Sequence, residues 1–276
     1  MTRAAYDVRV PLKGKVTLPD EVDALSASYH GATPFPHLVL DNMFSDRYLE
    51  PLLEEIAEMQ NEQWVNVDRD PRERTVRMRS AAELGSAGSN LLNIVHTAAF
   101  LQLLAQISGV GQLLPDPYLQ GGGFAVMKRG DYFDVHADRN VAYETGLIRR
   151  LAMIIFLNKS WKTEYNGQLE LWTPDGKRRE VSIDPLYNRT VLFEVAFPNY
   201  HGVPAPLACP SDIMRQSFIV YYHTASVGAQ PASIRKPHTT IFAPRFHETH
   251  SSKIRSVIRD IVPPFVTRMV RKFRET

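Results

Sequence analysis

His136 and Asp138 stand two residues apart in the segment Tyr132-Phe-Asp-Val-His-Ala-Asp138. Residues i and i+2 of a strand point to one face, so an imidazole and a carboxylate at this spacing grip one ion from one side. A second histidine, His201, follows a later apolar segment within Asn199-Tyr-His-Gly202. Two histidines and one carboxylate take one face of an octahedral metal and leave three positions open, an arrangement suited to non-heme Fe(II). Two of those positions accept a chelating 2-oxo acid and the third accepts dioxygen. The far carboxylate of such a co-substrate needs a cation. Arg215 opens the last strongly apolar segment, and a guanidinium binds a carboxylate bidentately. Ser217, two residues on and on the same strand face, offers a further hydrogen bond.

The elements that must position these residues are short apolar segments divided by turn residues. Eight are expected between 118 and 224: Gly123–Met127, Tyr132–His136, Leu151–Leu157, Gln168–Trp172, Arg179–Ile183, Thr190–Glu194, Tyr200–Val203 and Gln216–Tyr222. The expected fold is mainly β with flanking helices, around a jelly-roll or barrel core. Before the strands, Leu49, Leu52, Leu53, Ile56 and Met59 recur at helical spacing. A second helix is expected over Leu91–Ile107, ended by Gly109. Residues 61–89, with five arginines between Arg69 and Arg79, read as an exposed loop, and residues 1–33 as an irregular arm. Residues 34–225 form the expected main domain. The remainder, 226–276, reads as a basic helical extension, its last stretch broken by Pro263-Pro264.

Thirty-two Lys and Arg against thirty Asp and Glu leave a formal charge of +2, too little for bulk charge to argue for nucleic acid. One cysteine, Cys209, excludes an internal disulfide framework and a cysteine-based metal site within one chain. No apolar run approaches the roughly 18 residues a membrane span needs, and the opening residues lack a secretory apolar region. A cytoplasmic setting is therefore expected, with no nucleic-acid partner. The basic tail offers a homodimer contact or a surface contact.

The order and spacing of Gly121-Gly-Gly-Phe124, Asp131–Asp138, Asn166-Gly-Gln-Leu-Glu-Leu-Trp172, Tyr200-His-Gly-Val-Pro204 and Arg215-Gln-Ser217 resemble the prolyl-4-hydroxylase-like group of Fe(II)/2-oxoglutarate-dependent dioxygenases, most of all its free-standing bacterial members. The resemblance covers about residues 34 to 225. It implies a double-stranded β-helix of cupin-like form, with His136, Asp138 and His201 as iron ligands and Arg215 as the 2-oxoglutarate anchor. The implied cofactors are Fe(II), 2-oxoglutarate and O2, with ascorbate as a stimulant. The implied reaction couples decarboxylation of 2-oxoglutarate to succinate and CO2 with hydroxylation of an unactivated C–H bond. Desaturation and cyclisation belong to the same chemistry. Related halogenases replace the carboxylate ligand by a small residue, so Asp138 favours hydroxylation over chlorination. Two positions depart from the family pattern: Asn166-Gly167 stands where Gly-Gly is frequent, and Met153 where a polar side chain is common.

The expected substrate is a small molecule or a carrier-bound biosynthetic intermediate. Hydroxylation of a free or peptidyl amino acid is the nearest alternative, and a cupin-like metal protein without redox chemistry is the rival class. Tyr132, Arg139, Asn140, Trp172, Phe197 and Asn199 fall at strand ends or loops around the presumed metal and are the candidate substrate contacts.

Overall fold

The strands that carry the site lie in two facing antiparallel sheets, and their sequences alternate between one face and the other. The computed structural model describes residues 19–67, 70–78, 80–225 and 237–244. Its strands are β1 (His37–Asp41), β2 (Trp64–Val67), β3 (Glu73–Met78), β4 (Gly123–Met127), β5 (Tyr132–Ala137), β6 (Ile148–Phe156), β7 (Leu169–Trp172), β8 (Arg179–Ile183), β9 (Arg189–Glu194), β10 (His201–Val203), β11 (Arg215–Thr224) and β12 (Ile241–Phe242). The order β1-β9-β6-β11-β4-β3 makes the larger sheet, and β5-β10-β7-β8 the smaller. β3 joins them, pairing Val76 and Arg77 with β4 and Glu73 and Arg74 with β5. This is the expected double-stranded β-helix.

Four helices accompany the sheets: α1 (Pro19–Gly31), α2 (Asp46–Glu58), α3 (Ser86–Val95) and α4 (Ala98–Ser108). Along β11, Phe218, Val220 and Tyr222 pack into a core shared with Leu49 and Leu52 of α2, Leu91 of α3, and Phe100 and Leu104 of α4. The intervening residues Ile219 and Tyr221 belong to a second core between the sheets, with Ile154, Phe156, Leu171 and Phe193. Period-two patterning thus gives one strand two duties, a helix-facing wall and an inward face.

Four expectations change. Residues 61–89 are no exposed loop: they hold β2, β3 and the start of α3, and Thr75 and Met78 of β3 are buried. Arg69 and Arg79 lie outside the described residues. The single helix over Leu91–Ile107 is two helices meeting at 54°, because the Thr97 hydroxyl accepts the Phe100 N–H at 3.3 Å and starts a new helix. Within the expected arm, residues 19–31 are helical, with Tyr29 buried at the end of a Val22, Leu25, Tyr29 stripe. Within the expected helical extension, Ile241–Phe242 form a strand against β5. Residues 1–18 and 245–276, including the Pro263-Pro264 segment, lie outside the described residues. Among the described residues no single helix is long and apolar enough to cross a membrane.

Candidate metal centre

His136 on β5 and His201 on β10 face each other as paired residues of adjacent antiparallel strands. The pairing steps from His201↔His136 to Val203↔Phe133, so β5 spends two residues, Asp134 and Val135, opposite the single Gly202. This bulge resets the strand's alternation. Phe133 and His136, three apart, therefore share a face, and their rings stack with centroids 3.7 Å apart. Gly202 is required there: a Cβ would meet the Asp134 and Phe133 carbonyl oxygens at 2.9 Å.

Asp138 follows β5 directly and reaches both histidines. Its Oδ1 lies 3.5 Å from His136 Nε2 and its Oδ2 lies 3.6 Å from His201 Nε2. One ligand atom from each of the three falls within 4.8 Å of the others, the only such group of three or more His, Cys, Asp or Glu found among the described residues. Each imidazole is held through its other nitrogen, His136 Nδ1 at 2.7 Å from the Asp134 carbonyl and His201 Nδ1 at 3.3 Å from that of Asn199. A carbonyl only accepts, so Nδ1 carries the proton and Nε2 presents its lone pair to the common centre. Burial pushes His201 down to about 4 against the pull of Asp138, which keeps the ring neutral as a metal ligand requires. Burial alone would raise the Asp138 carboxyl, but the attraction of His201 and His136 in their protonated forms, with Arg149 adding to it, outweighs burial and holds Asp138 well below the usual carboxylate range. The Tyr221 hydroxyl donates to Asp138 Oδ2 at 3.2 Å.

These groups open into a cavity of about 610 Å3, its mouth included. β11 lines it with Arg215, Ser217, Ile219 and Tyr221, β6 with Ala152 and Ile154, β4 with Ala125 and Met127, and β3 with Thr75 and Arg77. Arg215 is only 5 % exposed. Its Nε donates to the Gly167 carbonyl at 2.7 Å, and its guanidinium carbon lies 4.9 Å from the Phe156 ring centroid. No carboxylate among the described residues pairs with it. Burial, with repulsion from Arg77, brings Arg215 down to about 9, so it stays charged at neutral pH. Gly167 fits closely beneath it: φ is +82°, and a Cβ would meet Arg215 Cδ at 3.1 Å. A buried cation without an anion beside a three-donor metal face is a receptor for an anionic chelator. The residues present therefore fit both a divalent metal and a dicarboxylate.

Residues 122–223 match the sequence profile of the 2OG-Fe(II) oxygenase superfamily. This segment, rather more than a third of the chain, is similar to that superfamily. Its members use Fe(II), 2-oxoglutarate and O2. A search of curated proteins finds no match. Among solved structures, a Pseudomonas putida prolyl-4-hydroxylase is 17% identical with a TM-score of 0.51, covering 73% of this chain and 100% of its own. A Trichoplax adhaerens prolyl hydroxylase, solved with a hypoxia-inducible-factor peptide, is 20% identical with a TM-score of 0.52, covering 76% and 94%. HygX from Streptomyces hygroscopicus, solved with nickel and 2-oxoglutarate, is 11% identical with a TM-score of 0.51, covering 83% and 98%. At these identities the likeness establishes the double-stranded β-helix fold.

The structure brings together His136, Asp138, His201, Arg215 and Ser217 around one cavity. None of the six candidate substrate contacts is among its lining residues. The Tyr132 hydroxyl donates to the Pro71 carbonyl, and Arg139 lies 3.6 Å over the Tyr143 ring. Asn140 is wholly buried and accepts the His238 N–H. Trp172 donates to Glu170, Phe197 packs on Tyr200 and His238, and Asn199 supplies the carbonyl that holds His201. Met153 turns to the helix-side core, so its departure from the family pattern leaves the cavity unchanged. Sequence reasoning passed over Thr75, Arg77, Phe133 and Tyr221. Only Tyr221 had a legible signal, its i+6 position on the Arg215 face.

Proposed function

We propose that this oxygenase hydroxylates an unactivated C–H bond of a small-molecule or carrier-bound intermediate, with oxidative decarboxylation of 2-oxoglutarate to succinate and CO2. The observation that carries the reading is the pairing, in one cavity, of a three-donor face with a buried guanidinium that has no carboxylate. His136, Asp138 and His201 hold Fe(II), and Arg215 receives the far carboxylate of 2-oxoglutarate, with Ser217 beside it. Bound iron supplies the oxidising chemistry. The chain's part is to present Nε2 of both imidazoles, keep Asp138 ionised, fix the co-substrate's orientation and exclude water with Ile154, Phe193 and Ile219. An intact carboxylate ligand supports hydroxylation over halogenation.

Anaerobic addition of Fe(II) and 2-oxoglutarate tests this. A weak visible charge-transfer band from bidentate chelation is expected, and admitting O2 should then release succinate. Metal binding with neither band nor succinate would refute the assignment in favour of non-redox metal chemistry.

A further inference from the structure

The strand that carries His136 has two edges. β10 covers one. On the other, β3 pairs with Tyr132 and Phe133 and then leaves, and beyond it β12 pairs with Ala137 and His136. The Ala243 N–H donates to the Val135 carbonyl at 2.8 Å. Just before β12, the His238 N–H donates to Asn140 Oδ1 at 2.9 Å. Phe242 stands in register with His136, their rings 5.9 Å apart, and lies 6.1 Å from Phe133. Arg72 spans the junction between β3 and β12: its carbonyl accepts the Asp134 N–H at 2.8 Å, and its guanidinium carbon sits 3.9 Å over the Phe242 ring. All of β12 falls outside the segment that matches the superfamily profile.

We propose that β12 is a positioning strand for the metal centre, with Phe242 its principal side chain. The proposal rests on His136, Asp138 and His201 being the metal ligands. The bulge leaves Asp134 and Val135 opposite one residue, so the ladder to β10 is interrupted immediately before the first ligand. His136 is oriented by a carbonyl of its own strand, two residues back. Its ring therefore turns with any change in β5. Asp138 hangs from the end of the same strand. β12 restores pairing at this point, and the Phe133, His136 and Phe242 rings close into one cluster. Contacts that orient ligands in this way are worth about ten- to a hundredfold in metal affinity.

The test compares the full chain with Phe242→Ala, Phe242→Tyr and Ala243→Pro, the last removing the N–H that bonds Val135. Each is titrated with Co(II), its visible spectrum recorded, and the metal-free protein melted. Phe242→Ala is expected to weaken Co(II) about tenfold or more and to alter the spectrum while its metal-free melt stays near the parent's. Phe242→Tyr, which keeps the ring, should behave as the parent, and Ala243→Pro should follow Phe242→Ala. Unchanged Co(II) affinity and spectrum in Phe242→Ala overturns the proposal, as does weakening that only tracks loss of folded protein. A parent chain that binds no Co(II) overturns the ligand assignment itself, before any variant is compared.

Discussion

Replacing Arg215 by methionine should move two measurements in opposite directions. Without co-substrate, Arg215 is a buried cation whose named polar partners are the Gly167 carbonyl and Met127 Sδ. Substituting an apolar side chain of similar length for a poorly compensated buried charge is worth about 1–4 kcal/mol. Losing the donor to Gly167 returns about 1 kcal/mol of that. The net gain of about 0–3 kcal/mol should raise the melting temperature of the metal-free protein by up to about 5 °C for a chain of this size. With co-substrate the sign reverses. A carboxylate left in the cavity without its guanidinium costs about 3–5 kcal/mol, a loss of about two to three and a half decades in 2-oxoglutarate affinity. Thermal melts of the metal-free protein and anaerobic titration of 2-oxoglutarate into the Fe(II)-loaded protein measure both. A variant that melts below the parent and still binds 2-oxoglutarate within threefold of it would refute the reasoning.

Further predictions concern ligands, acid stability and helix capping. His136→Ala and His201→Ala should each abolish Fe(II)-dependent succinate formation while leaving the far-ultraviolet circular dichroism intact; activity in either variant removes that histidine from the metal. His223 is buried, neither ring nitrogen has a hydrogen-bond partner among the described residues, and burial lowers it to about 4. Its neutral form is the folded one, so stability is full above its unfolded value near 6.5 and falls as pH drops from there toward 4, by about 3 kcal/mol. His223→Leu should flatten that part of the denaturation profile, and an unchanged slope would place the acid sensitivity elsewhere. Glu55 of α2 accepts the Gly85, Ala87 and Gly88 N–H groups at 2.9, 2.8 and 2.9 Å, capping α3 from a neighbouring helix. Glu55→Ala should cost about 1–2 kcal/mol in urea denaturation; a loss below a few tenths would mean that water replaces the cap.

The metal face was legible because His136 and Asp138 combine ligand chemistry with strand spacing, and Arg215 and Ser217 because they begin an alternating apolar strand. β3 was hidden by the same rule that revealed the others. Its inward residues Thr75 and Arg77 are themselves polar although they line the cavity, so the alternation marking a half-buried strand is not written in apolar residues and reads as a loop. β12 is two residues long and paired with a strand about a hundred positions away, beyond the reach of local pattern. Asn140, Trp172 and Asn199 sit near the site in sequence, but their side chains are occupied in holding neighbouring loops and strands. Proximity to a ligand along the chain does not say which way a side chain points.

The bulge opposite Gly202 makes register, as much as chemistry, a condition for activity. Delete one residue between Phe133 and His136, and the pairing with β10 becomes regular while Phe133 and His136, now two apart, still share a face. Straighten the strand at full length instead, by slipping β5 one place along β10, and His136 and Asp138 both turn to the opposite face and leave His201 behind. A one-residue slip is thus a route by which this barrel would keep its shape and lose its metal face, leaving an inert binding protein with every ligand residue still present in the sequence.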